Sequence, residues 1–466
     1  MMYKHALALY PGFRGSTSTM GIFPPTGLEY IAANITDLVD KVTLLDLRYE
    51  QEYQDVKILS DFIKKEIDLL CISIIWNSGF ADICDFISKL PDEVTTVVGG
   101  NKATAEVEHL FDKCPNIDIV VRGEGEETIR DIINGVPLKD IPGLSYRENG
   151  AVIHNKARPS PDICRVAFPD RTLRRHNYYG MLNGVRLTNL TFDTVLASRG
   201  CPYNCKFCTF NLNPLGQKRT YAERPIESVM EEIKCISADL IMFSDDNFFT
   251  NPERSKMLCD LIIESGIKKT FIVQTRIEIA RDEELLKKAE KAGFKILLVG
   301  IESPHDKILK QFNKGFTRQQ VREAFKILNK YNFFIHGYFI YGNIGETEEE
   351  MVYIAQFAKE LKLDSISFQK LRVEKFSPLK EVVENTPGYH YTASHGSVYS
   401  DLYSLKDLKR IRNRIKFKFY TLGQIVKIIQ KVSKVQLLTK SELMYVCMRL
   451  PDILLRVLKK GIKKKR

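Results

Sequence analysis

The first 150 residues alternate short apolar runs with amphipathic stretches. HALALYP, KVTLLDL, LLCISII, TTVVGG and IDIVVRG are rich in Val, Ile and Leu, the composition of strands buried on both faces of a parallel sheet. Between them, residues 26–38 and 81–90 space their apolar positions for one face of a helix. This β-α-β alternation predicts an α/β chain that opens with a doubly wound parallel sheet over residues 1–145. Ligands on such sheets sit beyond the carboxyl ends of the strands.

GLSYRENGAVIHN, ARPSPD and FPDR then read as a hairpin and a Pro-containing connector, a linker over 146–190. A second array starts near Phe192, with strands TVLAS, LIMFSD, FIVQT, KILLVGI, FIHGYFIY and SISFQ. Six strand-helix units predict a partial (β/α)6 TIM-like barrel over 191–375, with its chemistry at the strands' carboxyl ends. From 376 to 466 the pattern becomes basic and helical, a C-terminal extension.

A chain of 466 residues exceeds one ordinary core, in keeping with two domains. No run of 18 apolar residues occurs, so no membrane-spanning helix is expected. The start, MMYKHALALYPGF, reads as a first core strand rather than a signal peptide. Cys71, Cys84, Cys114, Cys164, Cys235, Cys259 and Cys447 are scattered singly, as buried free thiols of a reducing, cytoplasmic compartment would be. The charge is uneven. Residues 401–466 hold 19 Lys and Arg against 4 Asp and Glu, a balance of +15, so residues 1–400 carry −4 of the total of +11.

The remaining three cysteines sit in SRGCPYNCKFCT, as Cys201, Cys205 and Cys208. A four-iron cube needs four corner ligands, so three in one loop leave an iron open to an exogenous ligand. Zinc is the alternative, but it favours paired C-x2-C knuckles, which are absent here.

C-x3-C-x2-C with Phe207 before its last cysteine, after the first barrel strand, resembles the radical SAM superfamily. The resemblance implies a [4Fe-4S] cluster on Cys201, Cys205 and Cys208, its open iron chelated by S-adenosylmethionine. One electron then cleaves the sulfonium to methionine and a 5′-deoxyadenosyl radical. FSDDNFF stands where the family carries its Gly-Gly-Glu-type segment. Asp245 or Asp246 then accepts from the methionyl ammonium, with a helix N-cap as the alternative role. In QTRIE, Arg276 offers a fork for the methionyl carboxylate. VGIES and GYFIYGNIGET resemble segments near the ribose and adenine. They imply ribose contacts from Glu302 and Ser303 and close backbone approach at Gly342 and Gly345. Phe207 completes this set.

A sheet domain ahead of such a barrel resembles the cobalamin-binding subgroup. Ser73-Ile74-Ile75 follows the third strand and Gly99-Gly100 the fourth, where the subgroup carries Ser-x-Leu and Gly-Gly. The first loop, GIFPPTG, departs from the subgroup's Asp-x-His-x-x-Gly, so cobalamin is expected without a lower imidazole. That loop, PPTGLEYIAA and VVRGEGEET are similar to the anaerobic Mg-protoporphyrin monomethyl ester cyclase type. Thr26, Gly27, Ser73, Gly99, Gly100, Gly123 and Gly125 are the implied cobalamin contacts. A domain that keeps the fold without the cofactor is the alternative.

RIKFKFYTLGQIVKIIQKVSKV and MRLPDILLRVLKKGIKKKR interleave basic and apolar residues at helical spacing. Such helices bind anionic membrane surfaces, at roughly 1 kcal/mol per basic residue; a charged face packed on the barrel is the alternative. No nucleic-acid-binding module is present. The expectation is a radical SAM enzyme, cytoplasmic and peripheral at the inner membrane face. It would take electrons from a flavodoxin- or ferredoxin-type donor and transfer a methyl group from cobalamin to a lipid- or isoprenoid-like substrate. Radical cyclisation or oxidation is the alternative. A methylthiotransferase-like tRNA modifier would need a second three-cysteine set, and Cys71, Cys84 and Cys114 lack that spacing. A non-catalytic binding protein is the remaining rival. No histidine shows ligand spacing, and catalytic residues beyond the cluster ligands are not assigned.

Overall fold

Each apolar run of the first array is a strand. The computed structural model describes residues 3–12, 23–75, 79–182, 185–208, 212, 215–373, 376–393, 395–446 and 448–449. It divides into one unit of residues 1–194, 213–217 and 445–466 and a second of 195–212 and 218–444.

In the first unit, β1 (His5–Tyr10), β2 (Lys41–Asp46), β3 (Leu69–Ser73), β4 (Thr95–Gly99) and β5 (Ile119–Val121) run parallel in the order β2-β1-β3-β4-β5. The hairpin β6 (Leu144–Glu148) and β7 (Ala151–His154) adds to β5 antiparallel, so GLSYRENGAVIHN extends the sheet. Helices α1 (Thr26–Ala33), α2 (Val56–Glu66), α3 (Phe80–Ile87), α4 (Asn101–Ala105), α5 (Val107–Lys113) and α6 (Glu126–Ile133) lie between. Because side chains alternate across the pleat, Leu7, Leu70, Ile72, Val98 and Val120 pack with Ile63, Ile87 and Leu110. Leu69, Cys71, Val97 and Ile119 join Ile129 and Ile132 on the opposite face. Both faces are covered, as the unbroken apolar runs predict.

The segment read as a connector contains β8 (Tyr178–Leu182) and β9 (Val185–Val195), which pair antiparallel. Its sequence carries Asn-Gly at 183–184, a strong hairpin signal. Arg174 donates to both oxygens of Glu29 at 2.7 Å and to those of Asp193 at 2.7 and 2.9 Å. Arg171 joins them through Asp193 at 2.8 Å. These charges are buried, and removing one partner of such a set costs about 3–5 kcal/mol.

In the second unit, β10 (Ser198–Arg199) pairs with β11 (Ala222–Glu223). There follow α7 (Ile226–Cys235), β12 (Leu240–Phe243), α8 (Pro252–Glu264), β13 (Thr270–Thr275), α9 (Glu283–Ala292) and β14 (Phe294–Glu302). Then come α10 (Asp306–Gln311), α11 (Arg318–Leu328), β15 (Phe334–Tyr341), α12 (Glu348–Glu360) and β16 (Ser365–Lys370). Strands β12 to β16 are parallel and adjacent in chain order. Val195, at the end of β9, accepts from Ser244 N–H at 2.8 Å. In β15, Ile335, Phe339 and Tyr341 are buried while His336, Tyr338 and Ile340 on the other face are half-buried. That is the asymmetry of a curled sheet with helices outside only.

Beyond the barrel lie α13 (Pro378–Glu384), β17 (Tyr389–Tyr391), β18 (Val398–Ser400), α14 (Leu405–Phe419) and α15 (Leu422–Lys434). The two halves of the RIKFKF…KVSKV stretch behave differently. Leu408, Ile411, Ile415 and Phe419 of α14 are buried in the barrel's core cluster, and Arg410 and Arg414 pair with Glu348. On α15, Leu422, Ile425, Val426 and Ile429 are 83%, 42%, 51% and 52% exposed. KKGIKKKR lies outside the described residues. Among the described residues, no helix is long and apolar enough to cross a membrane.

Phe417 and Phe419 test which face of α14 the fold buries. Phe419→Ala should lower stability by about 3–5 kcal/mol, because Phe419 is fully buried. Phe417→Ala, at a site 73% exposed, should leave the denaturation midpoint nearly unchanged. Paired denaturant titrations check both.

Candidate functional site

TVLAS, expected as one strand, is split. The strand ends at Val195, and side chains bind the backbone of 196–197 before Ser198 pairs with β11. Asp245, just past β12, accepts from Ala197 N–H at 3.0 Å and from Ser198 Oγ at 2.5 Å. Arg224 donates to Leu196 O at 2.8 Å, and Arg254 to Ala197 O at 3.2 Å. Arg224 is itself paired with the fully buried Glu232. Burial raises the Asp245 carboxyl to about 6. Asn251, not Asp245 or Asp246, caps the helix that follows. Asp246 is half-buried and, after burial itself, helps push the Cys201 thiol up.

From this stem the cysteine loop is seated on residues 312–313. Lys206 N–H donates to Phe312 O at 2.9 Å, Asn313 Nδ2 to Asn204 O at 3.0 Å, and the Phe207 and Phe312 rings lie 4.9 Å apart. Cys205 is buried, and Cys201 and Cys208 are half-buried. Among the described residues, no three His, Cys, Asp or Glu side chains converge on one point as a single ion requires. A cubane takes each thiolate on a different iron, and three soft donors along one loop fit such a cluster.

The residues matched to S-adenosylmethionine already have partners in the chain. Arg276, directly after β13, donates from Nη1 to Cys205 Sγ at 3.3 Å and from Nη2 to Glu278 at 2.8 Å. Its guanidinium lies 3.8 Å from the Tyr203 ring centre, and it also bonds Lys314 O. Asn247 Oδ1 accepts from Arg276 N–H at 3.2 Å. Glu302 ends β14 at φ +69°, a region that a non-glycine residue enters at a cost of roughly 1–3 kcal/mol. It pairs with the buried Lys314 at 3.2 Å. Ser303, fully buried, accepts from His305 N–H at 3.2 Å. Gly345, at φ +73°, donates to Tyr389 Oη at 2.7 Å and has open space where a Cβ would stand. At Gly342 a Cβ would come within 3.0 Å of Leu408.

Tyr203, Asn247, Glu278 and Lys314 therefore belong to the site without having been singled out in the sequence. Tyr203, Asn247 and Glu278 lie inside the stretches CPYNC, FSDDNFF and QTRIE, whereas Lys314 lies in none of them. Lys314 looks like any surface lysine until Phe207 and Phe316 close over it, at 5.6 and 5.3 Å from its Nζ.

In the first unit the cobalamin-type positions lie at strand carboxyl ends. Gly100 has φ +102°, and a Cβ there would come within 2.5 Å of Ile74 O. The chain's own backbone therefore demands that glycine. Among the described residues, a Cβ at Gly27 or Gly123 would meet nothing within 4 Å, leaving room for a bulky ligand. Gly99 makes ordinary contact with Val121, and Gly125 faces Ile31 at 3.1 Å. Ser73 is buried, and Thr26 Oγ1 bonds Thr194 Oγ1 at 2.8 Å. No histidine occurs between His5 and His109. His5 lies at the far, amino end of β1 and is tied to Thr43 at 2.8 Å. The open ground and the absent imidazole fit cobalamin held without a lower histidine.

Comparison with known proteins agrees with both halves. Residues 195–358 match the Radical SAM superfamily and residues 17–133 the B12 binding domain. An uncharacterised methyltransferase of Pyrococcus horikoshii is 30% identical over 74% of this chain and 75% of its own. Anaerobic magnesium-protoporphyrin IX monomethyl ester cyclase of Synechocystis is 28% identical over 66% of this chain and 62% of its own. Hopanoid C-3 methylase of Methylococcus capsulatus is 28% identical over 62% and 55%. The chain thus spans less than two thirds of the latter two. Among solved structures, the radical S-adenosylmethionine methyltransferase TsrM of Kitasatospora setae shares the fold. Its TM-score is 0.68 at 16% identity, over 84% of this chain and 77% of that one.

Glu346 supplies a pH test of the loop after β15. It accepts from Asn343 N–H at 3.0 Å, is 3% exposed, and is pushed by burial to about 8. Its value unfolded is about 4.3. The stability tied to this neutral carboxyl is therefore complete below about pH 4.3 and lost as pH climbs through about 8. Glu346→Gln should gain on the native chain steadily from about pH 5 to 8 and level off above, in thermal melts across that range.

Proposed function

The chain belongs to the radical SAM superfamily and carries a B12 binding domain, and on that footing we propose that it is a cobalamin-dependent radical methyltransferase of an apolar, lipid- or isoprenoid-like substrate. The observation that carries the reading is the three-thiol loop fixed at the carboxyl end of the first barrel strand. Cys201, Cys205 and Cys208 would hold the [4Fe-4S] cluster, and the surfaces at Gly27, Ser73 and Gly123 would meet cobalamin. When bound, the cluster and S-adenosylmethionine supply a hydrogen-abstracting radical, and cobalamin supplies the methyl group. The chain's own part is to hold the thiols and orient them. Arg276 and Lys314, buried beside the loop, exclude water from it. A flavodoxin- or ferredoxin-type protein would deliver the electron.

The apolar substrate is supported by the hopanoid methylase relative and by α15. Leu422, Ile425, Val426 and Ile429 stand at i, i+3, i+4 and i+7, one helical stripe, and are exposed on a helix that also carries Lys427, Lys431 and Lys434. An exposed apolar stripe on a basic helix complements an anionic bilayer, from which such a substrate would be drawn. Α14, whose apolar face is used within the fold, has no part in this.

Two measurements test the reading. Protein reconstituted without oxygen, given a strong reductant, methyl-labelled S-adenosylmethionine and a lipid extract, should form 5′-deoxyadenosine and label an apolar product; Cys201→Ala should abolish both. Deoxyadenosine without labelled lipid favours cyclisation or oxidation, and an intact sulfonium with zinc in the loop overturns the proposal. Secondly, the chain should float with phosphatidylglycerol-containing vesicles, and Leu422→Asp with Ile429→Asp should cut flotation at least several-fold. Equal flotation removes α15 from the account.

A further inference from the structure

We infer that Arg276 sets the reduction potential of the cluster by hydrogen-bonding the sulfur of Cys205. This rests on the reading that a [4Fe-4S] cluster occupies the loop, but not on what the enzyme methylates. Arg276 Nη1 is 3.3 Å from Cys205 Sγ, and a thiolate bound to iron keeps lone pairs for such a donor. The guanidinium stays charged at every working pH, and both groups are under 10% exposed, so water screens the contact little. A cation and an N–H placed on a ligand sulfur stabilise the reduced, more negative cluster over the oxidised one. Hydrogen bonds to sulfur are among the levers that set such potentials.

The geometry leaves this donor little freedom. Glu278 takes Nε at 3.2 Å and Nη2 at 2.8 Å, the Tyr203 ring lies 3.8 Å beneath the guanidinium carbon, and Lys314 O takes the remaining direction. Nη1 is thereby turned to the sulfur. Glu278 offsets part of the charge, but it lies on the other side of the guanidinium, which keeps the positive group nearer to Cys205. The second buried cation, Lys314, is neutralised by Glu302. Arg276 is thus a positioning residue acting through Cys205, with Tyr203 and Glu278 holding it in place.

A role in gripping the methionyl carboxylate predicts something different, and one experiment separates the two. Reconstituted native protein, Arg276→Lys and Arg276→Gln are titrated without S-adenosylmethionine, and the one-electron reduction of the cluster is followed by electron paramagnetic resonance. At equal iron and sulfide content, the midpoint should move to more negative potential in both variants, further in Arg276→Gln. If Arg276→Gln fails to load, Arg276→Lys, which keeps the charge and loses the fork, decides alone. Midpoints equal to the native one, with only the KM for S-adenosylmethionine raised, overturn the proposal. So does loss of the cluster from both variants, since Arg276 would then be building the loop. A native chain that takes up no cluster instead refutes the proposed function.

Discussion

The candidate site depends on one buried carboxylate. Asp245 holds the N–H of Ala197 and the hydroxyl of Ser198, while Arg224 and Arg254 hold the carbonyls of Leu196 and Ala197. The irregular residues Leu196 and Ala197 thereby gain partners for their backbone groups, which buried backbone requires. This lets the first barrel strand end early and release the cysteine loop at the strand's carboxyl end. Without those side chains the stem would keep pairing or take up water, and the thiols would lose their common base.

Around that stem the charges come as buried pairs. Arg224 with Glu232 and Lys314 with Glu302 are desolvated and matched, and Arg276 is matched by the half-buried Glu278. A buried pair adds little net stability over an apolar substitute, yet losing one partner is expensive. Such pairs therefore act as locators more than as glue. Glu302 illustrates the point, since it holds a left-handed backbone at the end of β14 while binding Lys314. In the first unit, Arg174 between Glu29 and Asp193 does the same for the segment leading into β9.

The C-terminal helices show how similar composition leads to different roles. Both α14 and α15 alternate lysine or arginine with aliphatic residues. Α14 uses its stripe to cover the barrel, with Leu408 closing on Gly342. Α15 is held chiefly by Gln424, which donates to Leu363 O and Asp364 O at 3.0 Å, and its aliphatic stripe stays exposed. Periodicity identifies both as amphipathic but does not say which stripe the fold uses.

The strands of both arrays and the placement of the cysteine loop were legible in the chain itself. A run of Val, Ile and Leu can be buried only one way in a parallel sheet, and C-x3-C-x2-C states its donor chemistry outright. The hairpin of β8 and β9 has Asn-Gly in its sequence, but the Pro-containing stretch before it has the composition of a connector. What only tertiary structure decided is who partners whom. Asp245 reads as a ligand residue and is bound to the stem; Arg276 reads as a carboxylate fork and is bound to Glu278 and Cys205. Lys314 read as nothing at all. A charged side chain's role depends on which opposite charge shares its burial, and that partner, 145 residues away in the case of Glu29 and Arg174, is chosen by the fold and not by local sequence.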